Sequence, residues 1–260
     1  MKEDIATLMM VTYNRLELTK QTIDNIFKNT KQPYNLAIVD NGSTDGTKQY
    51  LAELIDKYKP VFNYSDTRLV CQYNDENKGI VIGRNQALLL ADDPEQTSQA
   101  SWYVTIDNDV LMPDGWLEES IAILKANPKY GMIGVNMEGF AYELVSEGGK
   151  TFQRKPQGNL GTACMVFPKS LHKMLGFFNI EYSLYAHEDA DFSMRARVLG
   201  YQLGYIKEMG KHIGEGENDV GEYRAFKNKH HKENLPKFYE NSRLYMTKQK
   251  SIYIPYKDEA

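Results

Sequence analysis

The sequence predicts an α/β protein: a mostly parallel central sheet flanked by helices. Three observations carry this. Through the first 135 residues, apolar runs of strand length alternate with amphipathic stretches of helical period. The strand-length runs are apolar at consecutive positions, as strands covered on both faces are. At 260 residues, 42% hydrophobic and 25% charged, the chain is long enough for a core that needs no disulfide or metal to hold it.

Residues 6–13 form the first strand. Leu16, Ile23, Ile26 and Phe27 then recur with helical spacing. Residues 36–39 are a second strand, and Tyr50, Leu51, Leu54, Ile55 and Tyr58 a second helical stripe. A strand at 68–73, a helix at 79–90 and a strand at 102–106 follow. Leu117, Ile121 and Leu124 mark another helix, and 132–135 a strand. This alternation is that of β-α-β units. After residue 136 the pattern changes. Residues 142–145 and 151–153 flank Gly148-Gly149 as a hairpin. A strand at 163–167 stops at Pro168, a helix covers 189–199, and a strand covers 202–206. The expected organisation is a domain over 1–215, split into halves at 135/136, and an extension over 216–260.

Cys71 and Cys164 lie far apart, with no C-x-x-C, and read as reduced, mostly buried thiols. No stretch of 18 apolar residues predicts a membrane span, and the acidic N-terminus is not a signal peptide. A cytoplasmic location is expected. The net charge of −4 argues against a generic polyanion binder. Its distribution is uneven. Residues 223–257 hold nine Lys/Arg against Glu233 and Glu240, a surplus of +7, so the remainder carries −11. Seven aromatic residues are interleaved there. One reading is a helical cover over the sheet, lysines outward. The other is a binding platform, including Lys227 and Lys229, for an anionic partner, nucleic acid or a membrane surface among them.

In an open α/β sheet, ligands bind beyond the carboxyl ends of the strands. Thr12-Tyr13-Asn14-Arg15, Asp40 to Asp45 and Asp107-Asn108-Asp109 all fall there. The middle one alone is an ordinary turn and helix cap. Asp107 and Asp109, two residues apart, face the same way if the strand continues, and such a pair repels unless a divalent cation joins it. His187-Glu188-Asp189-Ala190-Asp191 opens a helix, where acids suit the macrodipole. Three carboxylates in four residues exceed that need, and one of them can serve as a general base.

Together, in order, the strings Val11-Thr12-Tyr13-Asn14-Arg15, Val39 to Asp45, Asn77-Lys78-Gly79 with Arg84-Asn85, Asp107-Asn108-Asp109 and Glu188-Asp189-Ala190-Asp191 resemble the family 2 glycosyltransferases of GT-A fold. Gly161-Thr162-Ala163-Cys164-Met165 and Leu175 to Phe178 sit where that family has its acceptor-side strand and turn. The resemblance covers about residues 5–215. It implies a Rossmann-like sheet with a small antiparallel acceptor region and a metal-dependent, inverting transfer of a hexose or pentose from a nucleoside diphosphate sugar. Thr12, Asn14 and Arg15 would line the nucleotide pocket through backbone atoms, Asp40 would bind the base, and Arg84 would lie near base or diphosphate. Asp107 would sit by ribose and metal with Asn108 beside it. Asp109 would ligate the metal and His212 would complete its site. Asp189 would be the base, assisted by Glu188 and Asp191, with Gly161 and Thr162 on the acceptor side. Mn2+ or Mg2+ is the implied cofactor and a UDP-sugar the default donor. The acceptor is a glycan or lipid-linked sugar, with a hydroxylated DNA base as the alternative. A catalytically inactive nucleotide-sugar or glycan-binding module is the reading from another class. The absence of glycine after the first strand argues against a sugar nucleotidyltransferase and a Rossmann oxidoreductase.

Overall fold

The computed structural model of the protein describes residues 4–64, 67–97, 100–161, 163–182, 184–214 and 221–257. The first half runs β1 (Ala6–Thr12), α1 (Leu16–Asn29), β2 (Tyr34–Asp40), α2 (Thr47–Tyr64), β3 (Leu69–Tyr73), α3 (Ile80–Asp92) and β4 (Trp102–Asp107). Then come β5 (Val110–Leu111), α4 (Trp116–Ala126), β6 (Tyr130–Asn136), β7 (Leu144–Glu147), β8 (Lys150–Lys155), β9 (Cys164–Pro168) and α5 (Lys169–Leu175). A 3-10 turn at Ile180–Tyr182 precedes α6 (Glu188–Val198), β10 (Gln202–Met209), β11 (Lys211–His212) and α7 (Gly221–Met246).

Nine strands form one sheet in the order β3-β2-β1-β4-β9-β6-β10-β8-β7. Seven point the same way; β8 and β9 run against them. The mostly parallel sheet is therefore as the sequence predicts, and its antiparallel strands lie in the later half. Successive residues of β1 serve opposite faces. Leu8 and Met10 join Ile23 of α1, Leu51 of α2 and Trp116 of α4 in one core, while Met9 and Val11 join Leu88 of α3 and Phe192 of α6 in the other. Both faces are covered, which is why the strands read as unbroken apolar runs. Gly148 (φ 55°) and Gly149 (φ 72°) make the β7–β8 turn, where two successive left-handed residues match the twist of the strands.

Gly221–Met246 form the single helix α7. Its inward residues are mainly polar: Asn234, Asn241, Ser242 and Tyr245 are buried. Pro236 lies inside the helix, at a place where it costs roughly 3 kcal/mol, so tertiary contacts must hold α7. The boundary expected at 215/216 lies outside the described residues.

Candidate active site

The parallel register brings the strand ends level. Thr12 pairs with Asp40, and Val11 with Asp107. Above that edge opens a cleft of about 1110 Å³, lined among others by Asn14, Arg15, Arg84, Asp107, Asn108, Asp109, Gly161, Glu188, Asp189, His212 and Lys227. Small-molecule and cofactor pockets run to about 1,000 Å³, so the cleft is at the upper end of that range.

Asp107 is the last residue of β4. The strand does not continue; a turn at 108–109 follows, and the short β5 pairs with β11. This ladder, closed by the Ile213 N–H donating to the Asp109 carbonyl (2.8 Å), brings His212 to the aspartates. Asp107, Asp109 and His212 each offer an atom within 4.8 Å of the others, and His212 Nε2 is 3.5 Å from Asp109 Oδ1. The chemistry of this donor set fits a divalent cation. Burial, and then the Asp107 charge, push the Asp109 carboxyl above its ordinary value, the mark of a carboxylate lacking enough positive charge. His212 Nδ1 is buried and has no hydrogen-bond partner among the described residues. Gly214 is required beside them, since a methyl there would lie 2.0 Å from Asp109 Oδ2.

Arg15 departs from the expected backbone role. Its side chain donates to Asp109 Oδ2 at 2.6 Å, so it is a cation at the aspartate cluster. Arg84, nearly buried, holds Asp107 at 2.8 Å with one nitrogen and Glu188 with the other. It thus ties the end of β4 to the start of α6. Asn108 lines the cleft and donates to the hydroxyls of Thr12 (3.1 Å) and Thr19 (2.9 Å). Thr12 itself is buried beneath the wall, where its side chain supports Asn108. Asp40 is fully buried too: Oδ2 accepts from the Ser43 N–H at 3.1 Å, while Oδ1 has no partner among the described residues.

Of the three acids on α6, the structure brings two to the cleft. Asp189 Oδ1 accepts from the Ala190 N–H at 2.7 Å, and Oδ2 lies 3.9 Å from where a methyl on Gly161 would be. Burial pushes its carboxyl above the usual range. Glu188 is buried against Arg84, and burial pushes its carboxyl up to about 7 despite that cation. Asp191 corrects the expectation of an assisting carboxylate. It is wholly buried, paired with Arg195 at 2.7 Å, and accepts from the hydroxyls of Tyr182 (3.0 Å) and Tyr245 (2.9 Å). It points away from Asp189 because two residues along a helix turn the side chain by about 200°, here toward Arg195 and the Tyr245 hydroxyl of α7.

Lys227 lines the cleft together with Phe226 and His231, whereas Lys229 is exposed and does not line it, a second correction. Thr162 lies outside the described residues. The sequence reading missed Glu138, Tyr205 and Tyr185, and gave His187 no role; all four also line the cleft. Glu138 lies just past a predicted strand end, the one signal that pointed to it.

A sheet of this order with paired aspartates at its edge below one large cleft defines the GT-A fold of glycosyltransferases. The chain belongs to glycosyl transferase family 2, whose model matches residues 7–178. The N-acetylglucosaminyl-diphospho-decaprenol L-rhamnosyltransferase of Mycobacterium tuberculosis is 22% identical over 236 residues, covering 78% of this chain and 74% of that protein. TuaG of Bacillus subtilis, named as a teichuronic acid biosynthesis glycosyltransferase, is 23% identical over 117 residues, 45% of this chain but only 39% of its own length. The mannosyltransferase PcManGT from Pyrobaculum calidifontis, solved with GDP-Man and Mn2+, shares the fold with a TM-score of 0.63 at 17% identity, over 87% of this chain and 60% of that one. No helix among the described residues is long and apolar enough to cross a membrane.

Proposed function

We propose that the chain is a metal-dependent, inverting glycosyltransferase that moves a sugar from a nucleoside diphosphate sugar to a hydroxyl of a glycan or lipid-linked saccharide. The observation that carries this is the presence in one cleft of the Asp107–Asp109–His212 cluster and of Asp189, whose Oδ2 is not held by the backbone bond that fixes Oδ1. Asp107, Asp109 and His212 would hold a divalent cation, Mn2+ rather than Mg2+ for the sake of the imidazole, and it would supply Lewis-acid stabilisation of negative charge on a diphosphate leaving group.

The chain's own groups do the rest. Arg84, itself held by Glu188, holds Asp107 in place. Asp189 takes the acceptor proton, and its raised carboxyl makes it a stronger base than a free aspartate. As the proton leaves, the acceptor oxygen bonds to the anomeric carbon. The bond from that carbon to the phosphate oxygen breaks, and the nucleoside diphosphate departs with the electron pair. Attack from the side opposite the phosphate inverts the anomeric configuration. The lipid-linked acceptor rests on the name of the rhamnosyltransferase relative and on Lys227, a cation at the cleft.

The test is a panel of nucleotide sugars with Mn2+, read as nucleoside diphosphate release with and without chelator. Turnover of one donor that ceases in chelator is expected. Binding of a donor without any turnover would instead make the chain an inactive module, and full activity in chelator would remove the metal.

A further inference from the structure

We propose that the rim of the cleft just beyond β6, from the cleft-lining Glu138 to the exposed Phe140 outside it, is a saccharide subsite for the acceptor, with Glu138 as the carboxylate that reads its hydroxyls and Phe140 as its stacking ring. The word acceptor rests on the function proposed above; the binding of a saccharide does not.

Glu138 lines the cleft with a side chain 33% exposed. It is held from behind. Lys155, 8% exposed, donates to Oε1 at 2.6 Å, and the Tyr205 hydroxyl donates to the same oxygen at 2.7 Å. The Tyr142 hydroxyl donates to Oε2 and itself accepts from Lys155 at 2.7 Å. Lys155 also lies over the rings of Tyr142 (4.5 Å) and Tyr205 (5.2 Å), which stack on each other at 5.7 Å. A carboxylate accepts about four hydrogen bonds, so Oε2 keeps a lone pair for a ligand. Burial pushes the Glu138 carboxyl up, but the bonds from Lys155, Tyr142 and Tyr205 outweigh it and hold the group below its ordinary value. It is therefore ionised at neutral pH.

A nearly buried lysine locked to a cleft-facing carboxylate is costly unless its geometry is used. Here it fixes one acceptor atom in one place. The aromatic edge beside it is open. The Phe140 ring is 55% exposed, lies 5.1 Å from the Tyr142 ring, and its carbonyl is pinned by the buried Asn136 at 2.8 Å. An ionised acceptor of O–H bonds next to an exposed ring is the chemistry of a polyol with one apolar face. The same carboxylate repels a phosphate backbone, which sets the subsite against a nucleic-acid acceptor. Tyr205 and Asp189 line the same cleft, so the subsite and the proposed base share one opening.

The experiment is saturation-transfer NMR on the full chain with methyl glycosides of glucose, galactose, mannose and N-acetylglucosamine, and with a short oligothymidylate as competitor. At least one glycoside should bind, the oligonucleotide should not displace it, and Phe140→Ala and Glu138→Gln should each weaken it roughly tenfold or more. Glu138→Gln leaves Lys155 without its counter-charge and can fail to fold; Phe140→Ala changes an exposed ring and then decides alone. No glycoside bound, displacement by oligothymidylate, or wild-type affinity in a folded variant overturns the assignment. Donor hydrolysis by the wild type, measured separately, tests the glycosyltransferase reading, so each can fail without the other.

Discussion

The tightest packing at the site is at Gly214, and it makes a sharp prediction for Gly214→Ala. The new methyl would lie 2.0 Å from Asp109 Oδ2, 2.7 Å from its Cγ and 2.8 Å from its Cβ. Unbonded heavy atoms rest at about 3.5 Å, so the carboxylate must retreat by roughly 1.5 Å. Rotation alone cannot relieve a clash that includes Cγ and Cβ. The backbone is also fixed, since the Ile213 N–H donates to the Asp109 carbonyl at 2.8 Å. The retreat therefore breaks the Arg15–Asp109 pair at 2.6 Å and spreads the Asp107–Asp109–His212 cluster. A displacement of about 1 Å at a reacting centre costs on the order of a hundredfold. Manganese binding, followed by the loss of the free-ion EPR signal, and diphosphate release should both weaken by about that factor, with circular dichroism unchanged. Gly161→Ala is the contrast. Its methyl would meet Asp189 Oδ2 at 3.9 Å, an ordinary contact, and manganese affinity should hold. Wild-type manganese affinity and turnover in Gly214→Ala would refute the reasoning.

Three further outcomes are expected. Asp189→Asn keeps shape and removes basicity, so donor binding by calorimetry should persist while transfer falls by roughly two to four orders of magnitude; a retained anomeric configuration in the product would refute inversion. Asp191→Ala leaves Arg195 buried without its counter-charge and should cost about 3–5 kcal/mol in urea unfolding, against a modest change in donor affinity; an unchanged urea midpoint would show that Asp191 is not the structural group described. For Glu188, the folded carboxyl at about 7 holds a proton that the unfolded one, at 4.5, has released. Its contribution is complete below pH 4.5 and is lost as pH rises through 7. Glu188→Gln mimics the protonated form, so without metal it should match the wild type near pH 5 and gain on it by pH 8; a gap that does not change with pH would contradict the shift.

The fold was legible because its strands are apolar on both faces and its helices are amphipathic. The aspartate pair was legible for another reason: Asp107 and Asp109 sit at the end of an apolar run, while His212 joined them only through the family resemblance. What periodicity could not show was contact across the sheet. Arg15 and Arg84 are single basic residues in sequence, and only the level strand ends reveal that each closes on a carboxylate. Asp191 misled because three acids in one helical turn look alike, although the helix sends one of them inward. Glu138 escaped because its partners Lys155 and Tyr205 arrive from β8 and β10, far away along the chain. The last helix was ambiguous since its buried stripe is asparagine, serine and tyrosine, which carries no apolar signal.

That polar stripe has a cause in the backbone of the site. Of the non-glycine residues with positive φ, Asn14 (54°), Arg15 (62°), Ala186 (72°) and His187 (72°) all line the cleft. Each such residue costs on the order of 1–2 kcal/mol and persists only where neighbours fix it. At the first pair the turn after β2 does so. Ser43 Oγ accepts from the Asn14 N–H at 2.8 Å, and Asn14 Oδ1 accepts from the Thr44 N–H at 2.8 Å. The result aims the Arg15 side chain at Asp109. At the second pair the chain reverses so that α6 opens with Glu188 and Asp189 at the cleft. There the clamp is α7: the Asn234 amide donates to the carbonyls of Tyr182 (2.5 Å) and Tyr185 (2.8 Å), and His187 packs between His231 and Phe238. A strained turn exposes carbonyls that an apolar helix face would leave unsatisfied. Asn234 of α7 satisfies them, so part of the polar face that hid this helix from the hydropathy pattern holds the turn that leads into Glu188 and Asp189.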